Sequence, residues 1–140
     1  MTKLISKALI YLSKREYSRI ELESKLMLIS ENQVEINDAL DYLEQYGYQS
    51  DRRYIESYVR YKSKTFGLLK IRYELKKRVK DFDLINEVIN SLCLDEIEII
   101  QSIVKKKYNN SQPAFEKIIR YLMSKGFNVD SIYKVLKNKN

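Results

Sequence analysis

One pattern of apolar residues occurs three times along the chain, and this repeat limits the possible folds more than any other feature. Its first part is a pair of residues four positions apart: Leu22 and Leu26, then Ile71 and Leu75 at an offset of 49 residues, then Ile118 and Leu122 at a further 47. Its second part obeys the same offsets: Ile36, Ala39 and Leu40, then Ile85, Val88 and Ile89, then Ile132, Val135 and Leu136. Residues three and four apart share one face of an α-helix. Two helix faces with common offsets therefore predict one helical unit of about 48 residues in three copies.

The composition agrees with an all-helical fold. The 140 residues include only three Gly and one Pro, with 32% charged and 44% hydrophobic residues. A further apolar pattern at helical spacing precedes the first copy, so each unit is predicted to hold three helices. We expect an all-α protein of three tandem three-helix repeats, spanning residues 1–50, 51–93 and 94–140 of one continuous repeat domain. Because such units touch mainly their neighbours, the array should be elongated and curved, right-handed or solenoid-like.

Local signals place several helix ends. Ser18 opens a capping box, in which a hydroxyl and a carboxylate three residues apart satisfy free amides. Gly47 is suited to the left-handed position that stops a helix, and Asp51 is predicted to cap the fourth helix. Ser18, Gly67 and Ala114 precede the middle helix of each unit at matching places.

Further side chains are assigned to the core. Val34 lies on the apolar face predicted for the third helix, and Cys93 lies in the apolar run of residues 89–94. Tyr54, Tyr58 and Tyr61 recur at helical spacing, and the last two fall 49 residues after leucines of the first helix. We therefore expect the tyrosines to be buried or half-buried and Cys93 to be a small buried hydrophobe. The alternative for the tyrosines is stacking on nucleic-acid bases.

The positive charge is concentrated in two parts of the chain, residues 52–80 and residues 101–140. The net charge is +7, yet residues 52–80 alone hold eleven Lys or Arg against two acids, a local charge of +9. Residues 1–50 carry −2, residues 51–100 carry +2 and residues 101–140 carry +7. This distribution favours an anionic, extended partner such as nucleic acid, an acidic protein face or a membrane surface. The predicted partner-binding residues, which would meet acidic protein surface or DNA phosphate, are Arg52, Arg53, Arg60, Lys62, Lys64, Lys70, Arg72, Lys76, Lys77, Arg78, Lys105, Lys106 and Lys107.

The residues offer little for catalysis. The chain has no histidine, the commonest general base and metal ligand. It has no Gly-rich phosphate loop and no Ser-centred elbow. Asp95, Glu96 and Glu98 could be imagined as a magnesium site, but acids in the first turn of a helix complement its dipole. We expect a protein that is not an enzyme, with no catalytic residue, metal or cofactor.

Three features of the sequence indicate the cellular compartment of the protein. No apolar run approaches the roughly 20 residues that span a bilayer. The first residues lack the hydrophobic core of a signal peptide. A single cysteine makes no internal disulfide. These features predict a cytoplasmic protein without membrane contact.

Four elements occur in an order that is typical of one known family. The first element comprises Arg15-Glu16, Ser18, Glu21-Leu22 and Lys25-Leu26, and the second comprises Gly47-Tyr48, Asp51 and Tyr54. The third comprises Gly67, Ile71-Arg72 and Glu74-Leu75, and the fourth comprises Lys125-Gly126-Phe127, Asp130 and Ile132. Over nearly its whole length the chain thereby resembles the RecX family of recombinase regulators. It departs from the family pattern at Gln49, where an apolar residue is usual, and at Lys125, where arginine is usual. At Thr65 the family often has the first of two glycines.

The resemblance implies a function as well as a fold. A RecX-like protein would bind the RecA recombinase filament on DNA, lie along its helical groove and damp its ATP hydrolysis, strand exchange and growth. It would act in DNA recombination, repair and the SOS response, as a monomer that contacts single- or double-stranded DNA weakly or through the filament. The rival hypothesis is an autonomous basic helical module that binds nucleic acid and has no protein target.

Overall fold

The computed structural model describes residues 2–109, 111 and 113–137, and this part of the chain forms nine α-helices and no strand. The helices are α1 (Lys3–Lys14), α2 (Arg19–Met27), α3 (Gln33–Gln45), α4 (Asp51–Lys62), α5 (Leu68–Leu75), α6 (Phe82–Leu92), α7 (Glu96–Lys107), α8 (Phe115–Ser124) and α9 (Val129–Lys137). We refer to α1–α3, α4–α6 and α7–α9 as the first, second and third units.

Each unit packs around its own hydrophobic core. The buried residues of the three cores lie within residues 4–43, 54–89 and 100–136. All fifteen apolar positions of the sequence repeat are buried, with exposed fractions of 7% or less. The prediction of an all-helical tandem repeat is therefore confirmed.

The predicted ends of α2 and α3 are also correct. The Ser18 hydroxyl accepts a hydrogen bond from the Glu21 amide (3.2 Å), and the Glu21 carboxylate accepts one from the Ser18 amide (3.1 Å). Gly47 follows α3 with a positive φ of 76°, and the Tyr48 amide donates to the Leu43 carbonyl at 2.8 Å. Both arrangements satisfy backbone groups that a helix end leaves without an intrahelical partner.

The prediction that Asp51 caps α4 is wrong. Ser50 occupies the cap and its hydroxyl accepts from the Arg53 amide, while Asp51 is the first residue of the helix. The Asp51 carboxylate instead reaches back to the first unit, where it accepts a hydrogen bond from the Arg19 amide at 2.9 Å. Arg19 is the first residue of α2, so Asp51 serves the beginning of a helix in the preceding unit.

Three predicted core residues are exposed. Tyr54 is buried and Tyr58 half-buried, but Tyr61 is 72% exposed and Val34 is 69% exposed. Cys93 is also exposed; it follows the last residue of α6 and has a left-handed backbone conformation (φ 50°).

The error at Tyr61 has a geometric cause. The first helix of each unit does not follow the offsets of 49 and 47 residues that relate the other two helices. Its buried pairs are Leu4 and Ala8, then Ile55 and Val59, then Ile100 and Val104, which lie 51 and 45 residues apart. The core positions of the first and second helices lie 18 residues apart in the first and third units (Leu4 to Leu22, Ile100 to Ile118) but 16 apart in the second (Ile55 to Ile71). The buried face of α4 is therefore shifted by two residues relative to the repeat, and Tyr61 lies on its exposed side.

The first and second units are joined mainly through side chains. The buried Gln49 side chain donates to the Asp51 carboxylate (2.9 Å) and to the Tyr17 carbonyl (3.3 Å). Glu96, the first residue of α7, is placed like Asp51. It lies against the backbone of Leu68, the first residue of α5, and also accepts from the Asn128 amide at 3.2 Å. Each following unit thus presents an acid to the start of the preceding middle helix.

The second and third units also meet backbone to backbone. The amides of Gly67 and Leu69 donate to the carbonyls of Lys125 (2.8 Å) and Gly126 (3.2 Å). These amides belong to the beginning of α5 and the carbonyls to the end of α8, so each helix end satisfies the other. A Cβ atom on Gly67 would lie 2.2 Å from the Gly126 carbonyl oxygen, so this approach requires glycine.

Candidate functional site

The predicted basic residues divide into two groups in the structure. The first group is engaged with neighbouring side chains. Arg52 pairs with Glu87 at 2.8 Å, and Arg53 pairs with Glu16 of the first unit at 3.2 Å while also donating to the Gly47 carbonyl. These two arginines fix α4 to α6 and to the first unit, and part of their charge is neutralised.

Arg78 is engaged in the same way. Its guanidinium lies 3.3 Å from Glu74 and 3.9 Å from Glu21 of the first unit, and Lys77 lies 3.6 Å from Glu74. Desolvation opposes the charge on Glu74, but the hydrogen bond from Arg78 and the charge of Lys77 hold the pKa of Glu74 below its ordinary value. Burial raises the pKa of the neighbouring Tyr58 hydroxyl. Tyr58 therefore stays neutral, with the Arg78 guanidinium 5.3 Å from its ring.

Arg72 and Lys76 make local contacts within the second unit. The Arg72 guanidinium donates to Asn86 on α6 at 3.2 Å. The Lys76 ammonium lies 5.8 Å from the centre of the Phe82 ring. Arg60 and Lys64 are exposed and make no ion pair within the described ranges, residues 2–109, 111 and 113–137.

The second group gathers around one aromatic ring. The ammonium groups of Lys62, Lys70 and Lys125 lie 5.5, 4.7 and 5.0 Å from the centre of the half-buried Phe66 ring. We call these four residues the Phe66 cluster. Its lysines come from the end of α4, the first turn of α5 and the end of α8. They make no ion pair with a carboxylate in the part of the chain that the structure describes.

The cluster continues onto the third unit. Lys125 also lies 5.6 Å from the centre of the Tyr121 ring, and Lys107 lies 4.3 Å from the same ring. Lys107 is the last residue of α7, and it connects the predicted run of residues 105–107 to the cluster. Lys105 and Lys106 are exposed on α7.

A groove runs from the cluster toward the first unit. Its first part, about 170 Å³, lies between α4 and α5 and is lined by Tyr58, Lys62, Phe66, Lys70, Ile71, Glu74 and Arg78. Its second part, about 310 Å³, shares Tyr58, Lys62 and Arg78 with the first and extends to Tyr61 and Arg15. The two parts adjoin through these shared residues, and their lining combines rings and cations with the carboxylates of Glu74, Glu16 and Glu21.

The sequence predicted part of this surface and missed the rest. Lys62, Lys70 and Lys107 were predicted as contacts, whereas Phe66, Tyr121 and Lys125 were not. Phe66 gave a usable signal, because it stands between lysines in the connection from α4 to α5. Lys125 was noted only as a departure from the family pattern, because the contact between Gly67 and Gly126 that brings it to the cluster is not visible in the sequence.

The acids considered as a magnesium site lie at the beginning of α7. Asp95 caps α7 by accepting from the Glu98 amide at 3.2 Å, and Glu96 and Glu98 lie in the first turn. Among the described residues, no group of three His, Cys, Asp or Glu side chains is arranged to hold a metal ion. None of the described helices is long and apolar enough to cross a membrane.

Comparison with known proteins agrees with the fold. Residues 50–88 match the family model described as RecX, second three-helix domain. A crystal structure of RecX from Lactobacillus salivarius is similar, with a TM-score of 0.81, 26% sequence identity, and coverage of 97% of this chain and 94% of that one.

Two curated relatives match most of the chain. Regulatory protein RecX of Legionella pneumophila (strain Corby) is 36% identical over 142 residues, covering 98% of this chain and 95% of the relative. Regulatory protein RecX of Haemophilus influenzae (strain 86-028NP) is 36% identical over 126 residues, covering 85% of this chain and 83% of the relative. These relatives are named as regulatory proteins and not as enzymes. With this identity over nearly its full length, the chain belongs to the RecX family of regulatory proteins.

Proposed function

We propose that the chain is a non-enzymatic regulator that binds the RecA nucleoprotein filament and inhibits its ATP hydrolysis, strand exchange and growth. The observation that carries this proposal is the relation to regulatory RecX proteins over 98% of the chain. The sequence resemblance described above links that family to RecA. On this proposal the protein acts as a cytoplasmic monomer, without cofactor, and touches DNA weakly or through the filament.

The arrangement of the units supports binding to a filament. Three cores follow one another along the chain, and two junctions join them in series. A body of this kind offers a long surface that can contact successive subunits of a helical partner. We place the contacts first on the predicted basic residues that have no described ion-pair partner: Arg60, Lys62, Lys64, Lys70, Arg72, Lys76, Lys105, Lys106 and Lys107. The predicted residues Arg52, Arg53, Lys77 and Arg78, which pair with carboxylates, would add to the same field.

The experiment is a titration of this protein into RecA from the same organism, with ATP hydrolysis on single-stranded DNA as the readout. Sub-stoichiometric amounts should lower the rate, because one regulator that bridges or caps a filament affects many subunits. The variant Lys62→Glu/Lys70→Glu/Lys76→Glu should lose inhibition while its helical circular dichroism is unchanged. A matched control, Lys3→Glu/Lys14→Glu/Lys134→Glu, changes three exposed lysines elsewhere and should inhibit like the unmodified protein. Unchanged ATP hydrolysis at every ratio of the unmodified protein to RecA would refute the proposal.

A second candidate function is supported by the Phe66 cluster, whose lysines and ring are typical of nucleic-acid surfaces. Under this alternative the chain is an autonomous nucleic-acid-binding module without a protein target. It would coat bare DNA with a steep salt dependence, and it would lower RecA activity only at amounts that cover the DNA. The dependence of inhibition on the ratio of this protein to RecA and to nucleotides separates the two functions.

A further inference from the structure

We propose that copies of this chain bind one another head to tail, with the first unit of one copy against the third unit of the next. The surfaces that would meet are the α2–α3 turn with its flanking residues Leu28 and Val34, and the face of α8 that carries Phe115 and Met123. This contact goes beyond the proposed function, because regulation of RecA does not require it.

The junction between the second and third units shows how one unit binds the next. The third unit presents Glu96, at the beginning of its first helix, and the turn between its second and third helices. The carbonyls of Lys125 and Gly126 in this turn accept hydrogen bonds from the amides of Gly67 and Leu69 at the beginning of α5. A unit therefore binds, through the turn between its second and third helices, to the start of the middle helix before it.

The junction between the first and second units uses the same two kinds of surface. Asp51 begins α4 and accepts from the Arg19 amide at 2.9 Å. Lys80 and Asp81, in the turn between α5 and α6, line a cleft with Arg19 and Ile20 at the beginning of α2. In the part of the chain that the structure describes, this leaves two such surfaces without another unit: the α2–α3 turn and the beginning of α8.

The beginning of α8 resembles that of α5. Neither helix is capped by a described side chain. At α5 the third unit supplies backbone acceptors to the amides at the helix start. At α8 the carbonyls of the α2–α3 turn of a second copy would take that place.

Both surfaces carry exposed apolar side chains. Leu28 and Val34 are 82% and 69% exposed, and Phe115 and Met123 are 45% and 50% exposed. The Phe115 ring also lies 6.0 Å from the exposed ring of Tyr133 on α9. Terminal units of a repeat array usually have polar outer faces, because no neighbour covers them. Apolar side chains at both surfaces therefore indicate that each is covered by a partner.

The charges indicate that the partner is a second copy. Residues 28–35 hold the acids Glu31 and Glu35 and no base. The exposed charged residues of α8 and α9 are four bases and two acids: Lys117, Arg120, Lys134, Lys137, Glu116 and Asp130. Two third units would repel each other, as would two α2–α3 turns, whereas the unlike surfaces attract. A contact between unlike surfaces repeats from copy to copy along a line.

The contact is small, with a few side chains on each surface, and contacts of small area are weak. Dilute protein therefore remains monomeric. Copies associate when they are concentrated, or when an extended partner holds them in a row.

The test is sedimentation velocity of the full chain without RecA or DNA, at low salt. Concentrations from about 10 μM to about 1 mM cover the range in which a small contact becomes populated. The sedimentation coefficient of the unmodified protein should rise with concentration. Leu28→Ser/Val34→Ser and Phe115→Ser/Met123→Ser each remove apolar side chains from one surface and should weaken association at least about tenfold. An equimolar mixture of these variants should associate more strongly than either alone, because each keeps the surface that the other has lost.

A matched control is Ile10→Ser/Tyr73→Ser, which changes apolar side chains that are 52% and 62% exposed on α1 and α5 and should associate like the unmodified protein. Circular dichroism checks the fold of each variant, and Met123→Ser alone replaces the α8 double variant if that variant loses helicity. A sedimentation coefficient of the unmodified protein that stays constant up to the highest concentration would overturn the proposal. So would a mixture that associates no more than its two components, since the contact would then not join unlike surfaces.

Discussion

At the scale of single residues, the close contact between Gly67 and Gly126 decides how the second and third units meet. Gly67 has an ordinary φ of −80°, so alanine is compatible with its backbone, but the added Cβ would lie 2.2 Å from a carbonyl oxygen. Gly67→Ala should cost about 1–3 kcal/mol, the usual range for overpacking. Chemical denaturation measures the loss. Hydrogen exchange of the Leu69 amide, which donates to Gly126, should become faster.

Gly47→Ala is the matched control for this substitution. Gly47 has a positive φ of 76°, but a Cβ there meets no atom within 4 Å. Its replacement should cost about 1 kcal/mol from backbone strain alone, and exchange of the Leu69 amide should not change. If Gly67→Ala leaves that amide protected, the proposed role of the glycine contact is wrong.

Glu96 should make the free energy of unfolding depend on pH. Burial raises its pKa above the ordinary value of 4.5, although the Asn128 amide and the charge of Arg72 oppose the shift. The folded state therefore holds more protons than the unfolded state in the window that begins near 4.5 and ends above the folded pKa. The contribution of this group to the free energy of unfolding falls as pH rises through that window.

Glu96→Gln should remove this dependence, since the amide oxygen still accepts from Asn128 but no longer titrates. Urea unfolding at several pH values from about 4.5 to 7 should show a smaller decline for the variant than for the unmodified protein. Glu98→Gln, an exposed change in the same first turn, provides the comparison. Parallel profiles for Glu96→Gln and the unmodified protein would contradict the assignment.

Single residues also show where sequence reasoning stops. Gln49 appeared only as a departure from the family pattern, yet it is 2% exposed and joins Asp51 to the Tyr17 carbonyl. Asp51 was assigned to its own helix because capping is a local rule. Its partner, the Arg19 amide, lies 32 residues earlier, and a local rule contains no information about such a distance.

At the scale of helices, the acid that begins one unit completes the middle helix of the unit before it. Asp51→Ala leaves the Arg19 amide and the Gln49 side chain without this acceptor, which should cost about 1–2 kcal/mol. Asp38→Ala changes an exposed acid in the middle of α3 and should stay within about 0.5 kcal/mol of the unmodified protein. Denaturation midpoints for the two variants would test this, and equal values would show that the contact contributes nothing.

The helices that were predicted best are those with a constant distance between them. The second and third helices of each unit keep the offsets of 49 and 47 residues, and their apolar faces were assigned correctly. The first helix was misread at Tyr61 because the spacing between its core residues and those of the next helix is 16 residues in the second unit and 18 in the other two. Periodicity shows which residues share one face of a helix. It does not show how that face is aligned with a neighbouring helix.

At the scale of the whole molecule, the third unit needs α9 to cover its core. Truncation before Gly126 would remove Phe127, Ile132, Val135 and Leu136, which pack against Ile118 and Leu122. It would also remove the Gly126 carbonyl that accepts from the Leu69 amide. The truncated chain should lose the helicity of the third unit and bind a hydrophobic dye. Truncation after Lys137 should do neither, and a truncated chain with an ordered α8 would contradict the prediction.

The division at residues 1–50, 51–93 and 94–140 stays a prediction at this scale. So does the set of partner-binding residues. The all-helical fold followed from the repeat, because burial of a repeated apolar face is a strong and local constraint. The Phe66 cluster could not be assembled in the same way, since Lys125 follows Lys70 by 55 residues and only the folded junction places them together.

The two junctions should differ in stiffness, because they are made of different kinds of contact. The first and second units are linked by the ion pairs of Arg53 with Glu16 and of Arg78 with Glu21, and by the hydrogen bond from the Arg19 amide to Asp51. Exposed ion pairs weaken as the salt concentration rises. Between the second and third units, two backbone hydrogen bonds and the contact between Gly67 and Gly126 should allow little relative movement. The molecule should therefore bend at the junction between the first and second units, while the second and third units move together as a rigid body. Such bending would let the first unit change its orientation against a helical partner without disturbing the groove beside Phe66.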